Sequence, residues 1–138
     1  MSRISHVLDT SAILAHYFNE PGASLMEGLW ADGTSRLAIS AVMVAELKGR
    51  LYREIADEAE VARAVEAYLN ELTICIPVDR ATAELAWQLR HAVPHRLPLI
   101  DALIAATARA AGAVLVHKDP HMSQIPAALV AQIVLSDE

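Results

Sequence analysis

Five short apolar runs, at residues 4–8, 36–39, 73–78, 114–116 and 132–135, are separated along this chain by longer segments of helical patterning. Runs of this length filled with Ile, Val and Leu read as buried strands. Strands joined through helices are parallel, because a parallel neighbour needs a long crossover where an antiparallel one needs only a hairpin. Right-handed crossovers then lay helices on both faces of the sheet. The expected fold is therefore α/β: a doubly wound, three-layer sandwich with a mostly parallel sheet of four to five strands. Such sheets carry their chemistry at the carboxyl ends of the strands, so polar residues there are the first candidates for function.

The segments between the strands supply start and stop signals. A helix over 10–18 ends before Asn19-Glu20-Pro21-Gly22, and a second spans 23–30 before the Asp32-Gly33 turn. Ser40 is the expected N-cap of a long helix over 41–55. Val61, Val65, Tyr68 and Leu72 make one face of a helix over 58–72. Asp79 reads as the cap of a helix over 80–91, and the loop over 93–98 carries two prolines. The helix over 99–111 is dense in alanine (Ala102, Ala105, Ala106, Ala108, Ala110), so it can lie close to its neighbours, and Gly112 supplies its C-cap. Residues 117–126 form a loop before the last strand.

No linker or repeat divides the 138 residues, which suit one domain. No apolar run approaches the ~18 residues of a membrane span, and Asp9 interrupts the first hydrophobic segment too early for a secretory signal. A soluble cytoplasmic protein with no membrane partner is expected, and the one cysteine, Cys75, is expected in a reduced core. The formal net charge of −6 argues against non-specific binding to nucleic acid through Lys and Arg. Clustered carboxylates that bind divalent cations reverse the sign locally, which keeps a nucleic-acid enzyme open.

Four carboxylates stand where the pattern prefers an apolar residue or a strand end: Asp9, Glu46, Asp101 and Asp119. Asp9 ends the first strand and can equally cap the next helix, although Thr10 and Ser11 can serve that helix start in its place. Glu46 interrupts an apolar stretch, where an i,i+4 pair with Arg50 would contribute only a few tenths of a kcal/mol. Asp101 lies in the first turn of the alanine-rich helix, where the macrodipole favours an anion. Asp119 follows the fourth strand as Asp9 follows the first, and two adjacent strand ends would bring them together. Two charges about 4 Å apart cost about 4 kcal/mol at an effective dielectric of 20, so converging acids need cations. Oxygen ligands select Mg²⁺ or Mn²⁺, and such ions activate water in phosphodiester cleavage.

These residues also carry a resemblance. Val7-Leu8-Asp9-Thr10-Ser11-Ala12, then Ser40 to Leu47 ending in Glu46-Leu47, then Asp101-Ala102-Leu103-Ile104-Ala105-Ala106-Thr107-Ala108, then Asp119 after an apolar strand, resemble in order a PIN-domain ribonuclease of the VapC toxin type. The resemblance covers nearly the whole chain, as a single PIN domain over 1–138. It implies a PIN-like sandwich and an endoribonuclease dependent on Mg²⁺ or Mn²⁺. Asp9, Glu46, Asp101 and Asp119 would be the catalytic, metal-binding acids, with the Ser11 hydroxyl beside the metal or its waters. It further implies an RNA substrate, a homodimer, and a VapB-type antitoxin; an arginine of such an antitoxin is expected to reach the acids, because its charge compensates the carboxylates and displaces metal. The chain departs from the family at His117-Lys118-Asp119-Pro120-His121-Met122, where a Thr or Ser often stands two residues before the acid and a further acid follows it. That departure bears on the second metal site and the rate rather than on the reaction class.

Other readings compete. His117, Asp119 and His121 can be read as transition-metal ligands, whereas His91 and His95, separated by Pro94, read as solvated loop residues or phosphate contacts. A phospho-acceptor signalling domain would use Asp9, Asp79 and Lys118 but leaves Glu46 and Asp101 unexplained. A PIN-like subunit kept only for binding is a third reading, which the presence of all four acids opposes. Candidate phosphate contacts are Lys48, Arg50, Arg53, Arg96 and Lys118, with Arg96 and Lys118 the principal RNA candidates. Tyr17, Phe18, Leu25, Leu29 and Trp30 can line a groove for a partner helix, with core packing the ordinary use of most of them.

Overall fold

A computed structural model describes residues 3–135. Its five strands are β1 (His6–Leu8), β2 (Leu37–Ser40), β3 (Ile74–Ile76), β4 (Val114–His117) and β5 (Gln132–Val134). They form one sheet in the order β3-β2-β1-β4-β5, and every pairing is parallel. The helices are α1 (Thr10–Tyr17), α2 (Ala23–Ala31), α3 (Met43–Glu54), α4 (Glu58–Glu66), α5 (Arg80–Ala92), α6 (Leu99–Ala111) and the single-turn α7 (Pro120–Ser123). The chain runs outward from β1 to β2 to β3 and then crosses back to β4. Right-handed crossovers therefore put α1 to α4 on one face and α5 and α6 on the other. The direction of winding reverses between β1 and β4, and that reversal opens a crevice at the carboxyl ends of these two strands.

The register sets the crevice. Leu8 lies level with Val116, and the Asp9 N–H continues the ladder to the Val116 carbonyl at 2.9 Å. Asp9 and the His117-Lys118-Asp119 turn thus leave the sheet side by side. On the far face, α6 contacts β1, β2 and β4 through an alanine stripe in which Ala102, Ala105, Ala106 and Ala108 are fully buried. Ala110 falls on the solvent side. Gly112 ends α6 at φ 65, a left-handed conformation that costs a residue with a Cβ about 1 kcal/mol or more.

Several boundaries differ from the sequence expectations. Ser40 is not the cap of α3: the ladder to β3 continues through the Ala41 N–H to the Ile76 carbonyl, so the strand holds Ser40 and the helix starts later. The helix expected over 58–72 ends at Glu66 and passes into a π-helical turn, Ala67–Glu71, which buries Tyr68 and leaves Leu72 exposed. Cys75 is exposed, not in the core, because β3 is a three-residue edge strand paired on one side alone. The loop expected over 117–126 contains α7, started by the Asp119 side chain and Pro120. Tyr17, Phe18, Leu29 and Trp30 pack against the core, whereas Leu25 is 42% exposed.

Candidate active site

Each acid reaches the crevice by a different local device. Asp9 is the N-cap of α1 and is buried, 2% exposed. Its Oδ2 accepts from the Ser11 N–H at 3.1 Å and from the Ser11 hydroxyl. Its Oδ1 is buried with no hydrogen-bond partner. Asp9 itself therefore serves the helix start, while the Thr10 and Ser11 hydroxyls donate to carboxylates, those of Glu46 and Asp9 respectively. The Thr10 hydroxyl donates to Glu46 Oε1 at 2.6 Å, and the Ser11 oxygen accepts the Lys118 N–H at 2.8 Å, tying the β1 end to the β4 end.

Glu46 is exposed, contrary to the apolar setting read from its neighbours. Met43, Leu47 and Leu51 take the buried face of α3 at a spacing of four, which turns Ala45 and Glu46 outward. Arg50 pairs with Glu54 at 3.2 Å, and Glu46 instead accepts from the Thr10 hydroxyl.

Asp101 sits buried in the first turn of α6. Asp119 caps α7, its Oδ1 accepting the His121 N–H at 2.8 Å. The His121 Nδ1 lies 3.2 Å from Asp119 Oδ1 and 3.9 Å from Asp101 Oδ2. Asp101, Asp119 and His121 each present one ligand atom within 4.8 Å of the other two. The sequence groups His121 with His117 and Asp119. His117, however, is fully buried with both ring nitrogens engaged: Nδ1 accepts the Asp119 N–H at 3.0 Å, so Nε2 carries the proton and donates to Gln132 Oε1 at 2.8 Å. His117 positions the turn and offers no lone pair to a metal.

The electrostatics bring the four acids together. Burial pushes the Asp101 carboxyl up to about 7, with the charges of Asp119, Asp9 and Glu46 adding to the rise and His121 opposing it. The helix N-terminus, expected to favour the anion, loses to desolvation and three like charges. Burial likewise raises Asp9, against its two Ser11 hydrogen bonds and with help from Asp119 and Glu46. A site in which two buried carboxyls, Asp9 and Asp101, resist ionisation, with one buried carboxylate oxygen lacking any donor, has the chemistry of a cation-binding pocket. The residues present fit a divalent ion: Asp9 Oδ1 has no protein partner, and Asp101, Asp119 and His121 already converge.

Lys118 and Arg50 border a cavity of about 360 Å³ beside Ser11, lined also by Leu14, Glu20 and Pro21, and the Lys118 ammonium donates to the Pro21 carbonyl at 3.1 Å. Arg96 is exposed in the loop before α6, held at its carbonyl by Gln124. Asp79 lies at the end of β3, separated from β1 by β2, and its carboxylate caps α5 through the Thr82 N–H at 2.9 Å. Hydrogen bonds to Thr82 hold its carboxyl below the usual range. Asp9 and Asp79 thus do not share a pocket, as a phospho-acceptor site would require.

The all-parallel α/β sandwich sets these acids at a topological switch point, the place where open α/β sheets bind their ligands. A family model for the PIN domain matches residues 6–128. The chain belongs to the PIN domain family. No curated protein sequence matches it, but solved structures do. A chain of the VapBC2 complex from Rickettsia felis bound to a promoter DNA fragment superposes with a TM-score of 0.77 at 19% identity, over 96% of this chain and 100% of that one. The DNA-bound VapBC of Salmonella typhimurium gives 0.76 at 20% identity, over 96% and 99%. VapC20 of Mycobacterium tuberculosis, a sarcin–ricin loop cleaving toxin, gives 0.67 at 22% identity, over 86% and 93%.

Proposed function

We propose that this chain, as a single PIN domain, is a VapC-type toxin: an endoribonuclease dependent on Mg²⁺ or Mn²⁺ whose catalytic acids are Asp9, Glu46, Asp101 and Asp119. The observation that carries the reading is the unpartnered Asp9 Oδ1, nine-tenths and more buried, in electrostatic contact with the other three carboxylates. A buried acceptor left without a donor costs about 1–3 kcal/mol, a penalty that a bound cation removes. The similarity to VapC20 and to VapBC complexes supports the toxin assignment and, with it, an RNA substrate.

A divalent ion held there would supply charge compensation and Lewis acidity for in-line attack of water on an RNA phosphodiester. The protein's own part is positional. Ser11 fixes the Asp9 carboxylate from two sides, Thr10 holds Glu46 at the rim, and the His117 imidazole anchors the backbone of Asp119. Lys118, beside Ser11, and the exposed Arg96 would be the RNA phosphate contacts. Function in the cytoplasm as a homodimer, under control of a VapB-type antitoxin that delivers an arginine to the acids, completes the proposal. Among the described residues no helix is long and apolar enough to cross a membrane.

Asp9→Asn and Asp101→Asn each should lower Mn²⁺-dependent cleavage of RNA by about 10² or more while leaving the far-ultraviolet circular dichroism unchanged. Cleavage at the wild-type rate by Asp101→Asn removes this mechanism.

A further inference from the structure

We propose that His121 is a metal ligand of this site and that its imidazole nitrogen makes the site prefer a divalent first-row transition ion of the Mn²⁺ class over Mg²⁺. The proposal deepens the nuclease reading and rests on it for the presence of a divalent ion at the acids. Its ground is the geometry around α7. Asp119 caps that turn, Pro120 fixes its first φ, and the Asp119 carboxylate holds the His121 N–H at 2.8 Å, so the backbone that carries the imidazole is fixed beside the acids. Its Nδ1 stands 3.2 Å from Asp119 Oδ1 and 3.9 Å from Asp101 Oδ2. Two ligands each about 2.1 Å from one ion are separated by about 3.0 Å when they meet at right angles and by about 4.2 Å when they are opposed. Both observed separations fall in that interval, and the third pair, Asp101 with Asp119, lies within 4.8 Å.

A second observation, independent of this trio, points to a cation. The buried Asp9 Oδ1 has no donor, the Asp119 charge acts on Asp9, and the Asp9 charge acts on Asp101. His117 supplies no competing nitrogen, because the Asp119 N–H and Gln132 occupy both of its ring positions. The His121 side chain is 57% exposed, so it can release its contact with Asp119 and meet an ion arriving from solvent. The selectivity follows from ligand chemistry. Mg²⁺ is a hard ion that takes oxygen donors and keeps much of its water, whereas imidazole is a good ligand for the first-row transition ions. An Asp, Asp, His set thus gives the transition ion an advantage that four carboxylates would not.

The test uses the full-length protein stripped of metal and reloaded with Mn²⁺ or Mg²⁺. Pulsed electron paramagnetic resonance of the Mn²⁺ form should show ¹⁴N modulation from a directly bound imidazole, absent in His121→Asn and His121→Asp. By calorimetry, the ratio of Mn²⁺ to Mg²⁺ affinity should fall about tenfold in His121→Asn, and His121→Asp should regain Mg²⁺ affinity as oxygen replaces nitrogen. The exposed position lets both variants fold. Mn²⁺ bound without ¹⁴N modulation, or an affinity ratio unchanged in both variants, overturns the role of His121 and leaves the acid site standing. Failure of the wild type to bind either ion overturns both proposals.

Discussion

Asp101→Asn should stabilise the metal-free protein at alkaline pH while abolishing its chemistry, and the size of the effect follows from the site. The Asp101 carboxyl is raised from 3.8 to about 7 by burial and by its three acidic neighbours. The folded protein therefore holds this proton more tightly than the unfolded chain. The corresponding stability is fully present below pH 3.8 and is lost as pH rises through about 7. A rise of roughly 3 units at about 1.36 kcal/mol each makes the ionised group cost about 4 kcal/mol by pH 8. Against a total stability of about 5–15 kcal/mol this is a large fraction, corresponding to roughly 10 °C in Tm for a domain of this size. Urea unfolding in EDTA, followed by circular dichroism, should show the variant gaining on the wild type by roughly 2–3 kcal/mol between pH 5 and pH 8. Mn²⁺ at about 100 times its Kd should then return about 2.7 kcal/mol to the wild type and little to the variant. Parallel pH profiles for the two proteins, or a variant less stable at pH 8, would refute the account of mutually opposed carboxylates.

Three further substitutions separate positioning from chemistry. Asp79→Ala should cost about 1 kcal/mol through loss of the α5 cap and leave RNA cleavage unchanged, measured by thermal melting and a cleavage assay on one preparation. His117→Leu strands the Asp119 N–H and Gln132 Oε1, so about 2–4 kcal/mol of stability and about tenfold or more in Mn²⁺ affinity should be lost, as read by calorimetry. Gly22→Ala places a Cβ 2.9 Å from Leu135 Cβ at φ 103, and a loss of about 1–2 kcal/mol in urea unfolding is expected; a neutral result would show that the turn into α2 relaxes freely.

The sheet and its helices could be read from the sequence because burial imposes a pattern on them. The central strands β1, β2 and β4 are continuous apolar runs, and α6 begins at Leu99 and ends at Ala111 as its Pro98 and Gly112 punctuation implies. The edge strand β3 misled for the same reason: Ile74-Cys75-Ile76 has the composition of a core strand, yet sheet order leaves Cys75 exposed, and order is set by tertiary packing. Glu46 shows a related limit. Apolar neighbours on both sides suggested a buried acid, but Val44 and Ala45 do not share the face of Met43, Leu47 and Leu51, and the helical phase turns Glu46 outward to meet Thr10. The Thr10 contact joins residues 36 positions apart and leaves no local trace. His121 could be found as a departure from pattern, whereas the pairing of its imidazole with Asp101 rather than with His117 depends on the turn of α7.

Capping and ligation are not alternatives at the end of β1, because a carboxylate has two oxygens. Asp9 gives Oδ2 to the Ser11 N–H and hydroxyl, and this fixes the plane of the group so that Oδ1 is held, unpartnered, in the crevice. Asp119 repeats the device across the switch point, its carboxylate taking the N–H two residues on, at His121. β1 with α1 and β4 with α7 are thus two copies of one strand–Asp–helix corner, laid side by side by the β1–β4 pairing and tied together where the Ser11 oxygen accepts the Lys118 N–H. The cap fixes each carboxylate before any ligand arrives, which reduces the conformational entropy lost on binding. Asp101 comes from the opposite layer on the first turn of α6, so the gap across which it meets Asp119 is set by how closely α6 can approach β1 and β4. The alanine stripe of α6 governs that approach, and enlarging Ala102 or Ala105 should open the acid cluster without touching an acid.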